Sequence, residues 1–110
     1  EYFETVIKEF QEWLGEDYFL CSWGFYDKNQ FIKDCQRYKI ATNWLDNHIS
    51  IKHQHQNIFK LRKGVGVVRA LDMMGLVFEG THHRGIDDTI NITKIFRSIF
   101  NRLEFNKVNA

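Results

Sequence analysis

Gly80-Thr81-His82-His83-Arg84-Gly85-Ile86-Asp87-Asp88 runs directly into Thr89-Ile90-Asn91-Ile92-Thr93-Lys94-Ile95. Two histidines and two aspartates thus stand in a glycine-flanked turn that opens an amphipathic helix. Asp88, Ile92, Ile95, Ile99 and Leu103 recur at helical spacing, so Asp88 heads an otherwise apolar face. A carboxylate aimed along a buried face needs a cation or a donor. Asp87 falls with Asn91 and Lys94 on the neighbouring face, which the pattern predicts to be solvated. Both aspartates also suit a helix start, where capping and the dipole contribute about 0.5–2 kcal/mol. For Asp87, capping is a sufficient account. For Asp88 it leaves the buried face unexplained.

Before this turn, Val67, Val68, Leu71 and Met74 mark a helix that Gly75 stops. Gly64 and Gly66 lack the remaining glycines and the Lys-Ser/Thr ending of a phosphate loop. Gln56 to Arg62 is expected as a short helix, and His48-Ile49-Ser50-Ile51-Lys52 alternates like a strand with Ile49 and Ile51 on its buried face. In an extended segment His53 and His55 could meet one metal ion, a weak signal without further ligands. Asn43 to Asn47 is turn-like, with Trp44 as its anchor. The run Tyr18-Phe19-Leu20-Cys21-Ser22-Trp23 predicts a strand buried on both faces, in the middle of a sheet.

After Gly24-Phe25-Tyr26, Asp27 and Gln30 have the form of a capping box, opening a helix through Phe31, Ile32, Cys35 and Tyr38. Asp27 stands where a strand gives way to a helix, the place where sites form in open α/β sheets, although capping alone would also explain it. Phe3, Val6, Ile7, Phe10, Trp13 and Leu14 predict an amphipathic helix from about Tyr2 to Leu14, stopped by Gly15. The tail from Glu104 is expected to fray.

The length of 110 residues suits one domain with its own core. Its net charge of +1 conceals a polarity. No acidic residue occurs from Asn47 to Leu71, where Lys52, Lys60, Arg62, Lys63 and Arg69 are positive, while the first seventeen residues carry six acidic groups against Lys8. Such a run is either a solvated face or a phosphate-contacting one. Cys21 and Cys35 have no metal-ligand spacing and are expected as free thiols in a reducing, cytoplasmic compartment. No apolar run reaches membrane-spanning length, so no membrane partner is expected. The chain opens on Glu1 without an initiator Met, and an upstream segment is expected.

Ser22-Trp23-Gly24-Phe25-Tyr26-Asp27, Leu71-Asp72-Met73-Met74-Gly75-Leu76, and Phe78-Glu79-Gly80 through Asp88 with Asn91-Ile92 together resemble the DEDDh (DnaQ-like) 3′–5′ exonucleases, nearest the Eri-type branch. The most specific element is a histidine five residues before an aspartate in a Gly-Ile-Asp-Asp context. The resemblance implies an α/β, ribonuclease H-like fold and two Mg²⁺ or Mn²⁺ ions that clamp the phosphate at RNA or DNA 3′ ends. Carried over by position, it makes His83 the catalytic histidine, Asp27 and Asp88 metal-binding carboxylates, and His82 and Asp87 bystanders. Lys60, Arg62, Lys63 and Arg69 would contact phosphates, and Phe25 or Tyr26 would stack on a base.

The family's first motif, Asp-x-Glu, is absent from this sequence. The chain therefore resembles the C-terminal part of one such domain, spanning residues 1–110 without the leading antiparallel strands, and it is expected to be inactive alone. The alternatives are a degenerate, non-catalytic fold that binds nucleic acid or protein, and a fragment that self-associates through an exposed sheet edge.

Overall fold

The computed structural model describes residues 2–81 and 83–106. In chain order these form α1 (Tyr2–Leu14), β1 (Leu20–Ser22), α2 (Tyr26–Arg37), a helical turn at Asn43–Leu45, β2 (His48–Ser50), α3 (Ile51–Ile58), α4 (Val67–Met73), α5 (Gly85–Ile99) and a last turn at Phe100–Arg102. The strands pair in parallel, with Leu20 opposite His48, Cys21 opposite Ile49 and Ser22 opposite Ser50. A parallel pair needs a long crossover, which α2 and the turn around Trp44 supply.

Side chains alternate across a strand, so Leu20 and His48 share one face of the sheet and Cys21 and Ile49 the other. On the first face Leu20 joins Phe3, Leu14, Ile32 and Ile40 around buried Ile7, Cys35, Trp44 and Leu45. On the second, Ile49 is buried with Ile51, Ala70, Leu71, Ile95 and Ile99. This is an α/β arrangement, with α1 and α2 on one face of the sheet and α4 and α5 on the other. No helix among the described residues is long and apolar enough to cross a membrane, and both cysteines are free.

The extents of α1 and α4, the stop at Gly75 and the burial of Trp44 match the periodicity. Gly75 takes φ +73°, a left-handed conformation that costs glycine little and ends the helix. Other expectations need correction. The apolar run at Tyr18–Trp23 yields only a short strand, and Cys21 is exposed rather than buried on both faces. The Leu20 N–H donates to the Asn47 carbonyl at 2.9 Å, so Leu20 turns its main-chain groups toward β2 and Cys21 turns its own to the other edge. Among the described residues β2 is the only neighbour of β1.

β2 ends at Ser50 because that hydroxyl accepts the His53 N–H and starts α3 one residue later. Ile51 is consequently helical, although still buried, and α3 lies ahead of the predicted Gln56–Arg62. His53 and His55 therefore point to opposite sides of a helix and cannot share a metal ion. Leu103 lies beyond α5 yet packs on the same core. Glu104 itself is tied down, since its backbone N–H and C=O exchange hydrogen bonds of 2.7 and 2.8 Å with the Gln54 amide, while residues 107–110 of the tail expected to fray lie outside the described residues.

Candidate active site

Residues 77–81, 83 and 84 have no regular secondary structure, and polar side chains of α5 hold this segment in place. Asn91 is wholly buried. Its amide donates to the Glu79 carbonyl at 2.8 Å and to the Asp87 carbonyl at 2.6 Å, and its Oδ1 accepts the Glu79 N–H at 2.9 Å. One side chain thereby pairs the backbone of Glu79 as a neighbouring strand would. A turn further on, Lys94 Nζ donates to the Val77 carbonyl at 2.8 Å and pairs with the Glu79 carboxylate.

Asp87 accepts the Thr81 N–H at 2.9 Å and lies 3.8 Å from Arg84. Its carboxylate fills the space a side chain at Gly80 would need, and Gly80 takes φ +85°, so glycine is required there twice over. The face carrying Asp87, Asn91 and Lys94 is therefore not solvated as predicted. It binds the loop, and Asp87 is no bystander to the loop's shape.

Asp88 finds a donor, as its position demanded: Oδ1 accepts the His83 N–H at 3.2 Å. This bond joins the two residues that stand five apart in the motif. It helps hold His83 at φ +72°, a left-handed conformation uncommon for a non-glycine residue. The His83 side chain is exposed. His82 lies outside the described residues.

Asp27 is exposed in the first turn of α2, and Phe25 takes the cap position without a side-chain bond, so the predicted capping box does not form. Asp27 instead lines a cleft of about 320 Å³ with Cys21, Ser22, Ile51, Thr89, Ile92 and Phe96. The cleft brings the end of β1 to the first turns of α5 and reaches Thr89, next to Asp88. Among the described residues no three His, Cys, Asp or Glu side chains form a group able to hold a metal ion. Asp27 and Asp88 thus do not make a metal site by themselves.

Tyr26 is 76% exposed. Phe25 is engaged, its ring 5.7 Å from that of His48 and 4.8 Å from that of His53. Lys60, Arg62, Lys63 and Arg69 are exposed around the segment joining α3 to α4, and none of them lines the Asp27 cleft.

Ser22 and Asn91 stand in the motifs quoted above without a role assigned to them, and His48 carries no distinguishing signal in the sequence. Periodicity misplaces Asn91 because helical spacing shows which residues share a face, not what covers it.

His55 is wholly buried between the rings of Trp23 and Phe59, and neither of its nitrogens meets a partner among the described residues. Burial pushes its pKa down. The pKa of His48 is also lowered, mainly by burial and further by Lys28, against the opposing charge of Asp27. The unfolded chain binds protons at these residues near the ordinary value of 6.5, which the folded chain resists. Stability is accordingly complete above pH 6.5 and falls as the pH drops into the window below it. Urea unfolding at pH 7.5 and 5.0, values chosen to bracket roughly that window, should show the loss, and His55→Leu should lessen it by removing one of the two groups.

No family model matches the sequence. The chain is 27% identical, over 98% of its length, to an uncharacterized exonuclease domain-containing protein of Arabidopsis thaliana, and 28% identical, over 84%, to 3′–5′ exoribonuclease 1 of Rattus norvegicus. It spans 36% and 30% of those relatives, about a third of each. The crystallographically solved nuclease domain of 3′hExo, a DEDDh family member bound to rAMP, superposes with a TM-score of 0.82 at 23% identity, over 96% of this chain and 59% of that one. The fold is that of a DEDDh nuclease domain. The ribonuclease H-like expectation is met. In this DEDDh-type fold the loop clamped by α5 carries His83, and the end of β1 leads to Asp27.

Proposed function

We propose that residues 1–110 form the C-terminal part of a 3′–5′ exonuclease domain that hydrolyses RNA or DNA to nucleoside 5′-monophosphates. The observation that carries this reading is the bond from the His83 backbone to the Asp88 carboxylate at the head of α5, beside the cleft that holds Asp27. His83 presents an exposed imidazole on a loop whose backbone is pinned, suited to taking the proton of an attacking water. Mg²⁺ or Mn²⁺ would be the cofactor. Asp27 and Asp88 would supply two of its carboxylates, and the rest would come from an Asp-x-Glu strand outside these residues, since this sequence holds none. Lys60, Arg62, Lys63 and Arg69 would contact the phosphates of the strand, with Tyr26 available to stack on a base. The free thiols Cys21 and Cys35 accord with a reducing, cytoplasmic setting.

The test is an assay of the complete reading frame containing these residues, on 3′-labelled RNA and DNA with Mg²⁺ or Mn²⁺. Release of nucleoside 5′-monophosphates from the 3′ end is expected, with none from the 110-residue chain alone. Absence of hydrolysis by the complete protein, or products bearing a 3′-phosphate, would overturn the reading. If Lys60, Arg62 and Lys63 neutralise phosphates, replacing all three by Ala should reduce the salt slope of single-strand affinity by about 0.7 for each phosphate no longer neutralised. An unchanged slope would remove them from the interface.

A further inference from the structure

The turn that presents Asp27 has no side-chain cap: Phe25 holds the cap position of α2 without a side-chain hydrogen bond. What holds it comes from β2 and α3. Ser22 Oγ lies 2.9 Å from the Gly24 carbonyl and 2.6 Å from His48 Nε2. A carbonyl only accepts, so the hydroxyl hydrogen goes to Gly24, and the contact with His48 requires Nε2–H as the donor. That tautomer leaves Nδ1 bare, in agreement with its being buried without a partner among the described residues. Protonating Nδ1 would bury an unpaired donor, and burial accordingly lowers the pKa of this imidazole.

Ser50, the register partner of Ser22, holds His53 through contacts to its Nδ1 and backbone N–H, and the Phe25 ring contacts both imidazoles. Two serines at matched positions on β1 and β2 each fix a histidine, and the histidines fix the aromatic residue two before Asp27. His48 and Asp27 also line one cavity of about 200 Å³ on the Leu20 side of the sheet.

The geometry points to His48 as a positioning residue for Asp27: its Nε2–H bond to Ser22 and its ring contact with Phe25 lock the Ser22–Asp27 turn in the orientation that presents the carboxylate. This rests on the reading of Asp27 as a metal-binding carboxylate of an exonuclease. His48 touches no reacting atom in this role and acts through the turn alone.

Hydrogen exchange on the 110-residue chain tests the lock directly. His48→Phe keeps a ring against Phe25 but removes the donor. Exchange at the Asn29 amide, which closes the first turn of α2 on the Phe25 carbonyl at 3.0 Å, should then rise. The expected rise is about tenfold, while amides of the Leu71–Ile95 core keep their protection. Ser22→Ala, which loses the bond to Gly24 as well, should raise exchange at least as far, and His48→Phe should add little to it in the double variant, because the Ser22–His48 bond is already gone. His48→Gln, whose side-chain N–H can reach the place of Nε2, should restore slow exchange.

In the complete enzyme, His48→Phe should raise the Mn²⁺ concentration needed for half-maximal hydrolysis, leave KM for the nucleic acid unchanged, and be rescued by His48→Gln. Unchanged exchange at the turn, an equal rise throughout the core, full additivity of the two variants, or an unchanged Mn²⁺ requirement would each overturn the inference. The underlying reading fails separately, by full hydrolysis in Asp27→Asn.

Discussion

His83→Ala in the complete protein is expected to slow phosphodiester hydrolysis by about 10²–10⁴-fold with little change in KM, the usual consequence of deleting a general acid–base group. The structure makes the experiment unusually clean. Asp88 binds the backbone N–H of residue 83, so alanine retains the bond that closes the loop and loses only the imidazole. Its weakness is the backbone at φ +72°, which alanine tolerates poorly. His83→Asn covers that case, because asparagine enters the left-handed region readily but cannot take up the proton. Both variants should be slow. Asp88→Asn is the complement, since it keeps an acceptor for the His83 N–H while removing the negative charge, and its loss of activity should therefore come without opening of the loop. Full hydrolysis by the two His83 variants would remove that residue from the mechanism, whatever the fate of Asp88.

Asn91→Ala is expected to cost about 2–4 kcal/mol, the sum of more than one backbone group left without its partner. The Glu79 N–H and C=O both lose their bonds, and the Asp87 carbonyl loses one as well. Denaturant unfolding should show the lower midpoint. Amide exchange should place the damage by a larger rise at Glu79 and Thr81 than at Leu20 or Ile49. Asn91→Asp retains the acceptor for Glu79 but no donor, and it should be impaired in the same way. A cost below about 0.5 kcal/mol, the range of ordinary surface substitutions, would mean that the loop does not depend on this side chain.

Much of this is legible in the chain. The spacing of Phe3, Ile7 and Leu14 places α1, and that of Ile92, Ile95 and Ile99 places α5, because a helix that buries one face writes its period into the residue order. The requirement that Asp88 find a donor also follows from that period, and the backbone of His83 answers it. The segments that periodicity misplaces share a cause. Ser50 ends β2 by accepting a hydrogen bond from His53, a local competition that alternation of Ile49 and Ile51 cannot register. The apolar run at Tyr18–Trp23 records how much of the segment is hydrophobic, but not how many neighbours its strand finds. Asp27 fits a capping box in spacing alone, whereas the helix begins one residue ahead of it.

By itself the sequence determined α1, α4 and α5, the stop at Gly75 and the need of Asp88 for a donor, since periodicity, backbone freedom and an isolated carboxylate on an apolar stripe are all local properties. Tertiary structure decided the rest. Asn91 became the partner of a strandless loop, Asp87 its filler and His48 the support of a distant turn, because each bond joins side chains to backbone or hydroxyl groups that only the packed fold brings within 3 Å. A hydrogen bond of that kind has no period and leaves no trace in residue order. Its partner is chosen by the fold.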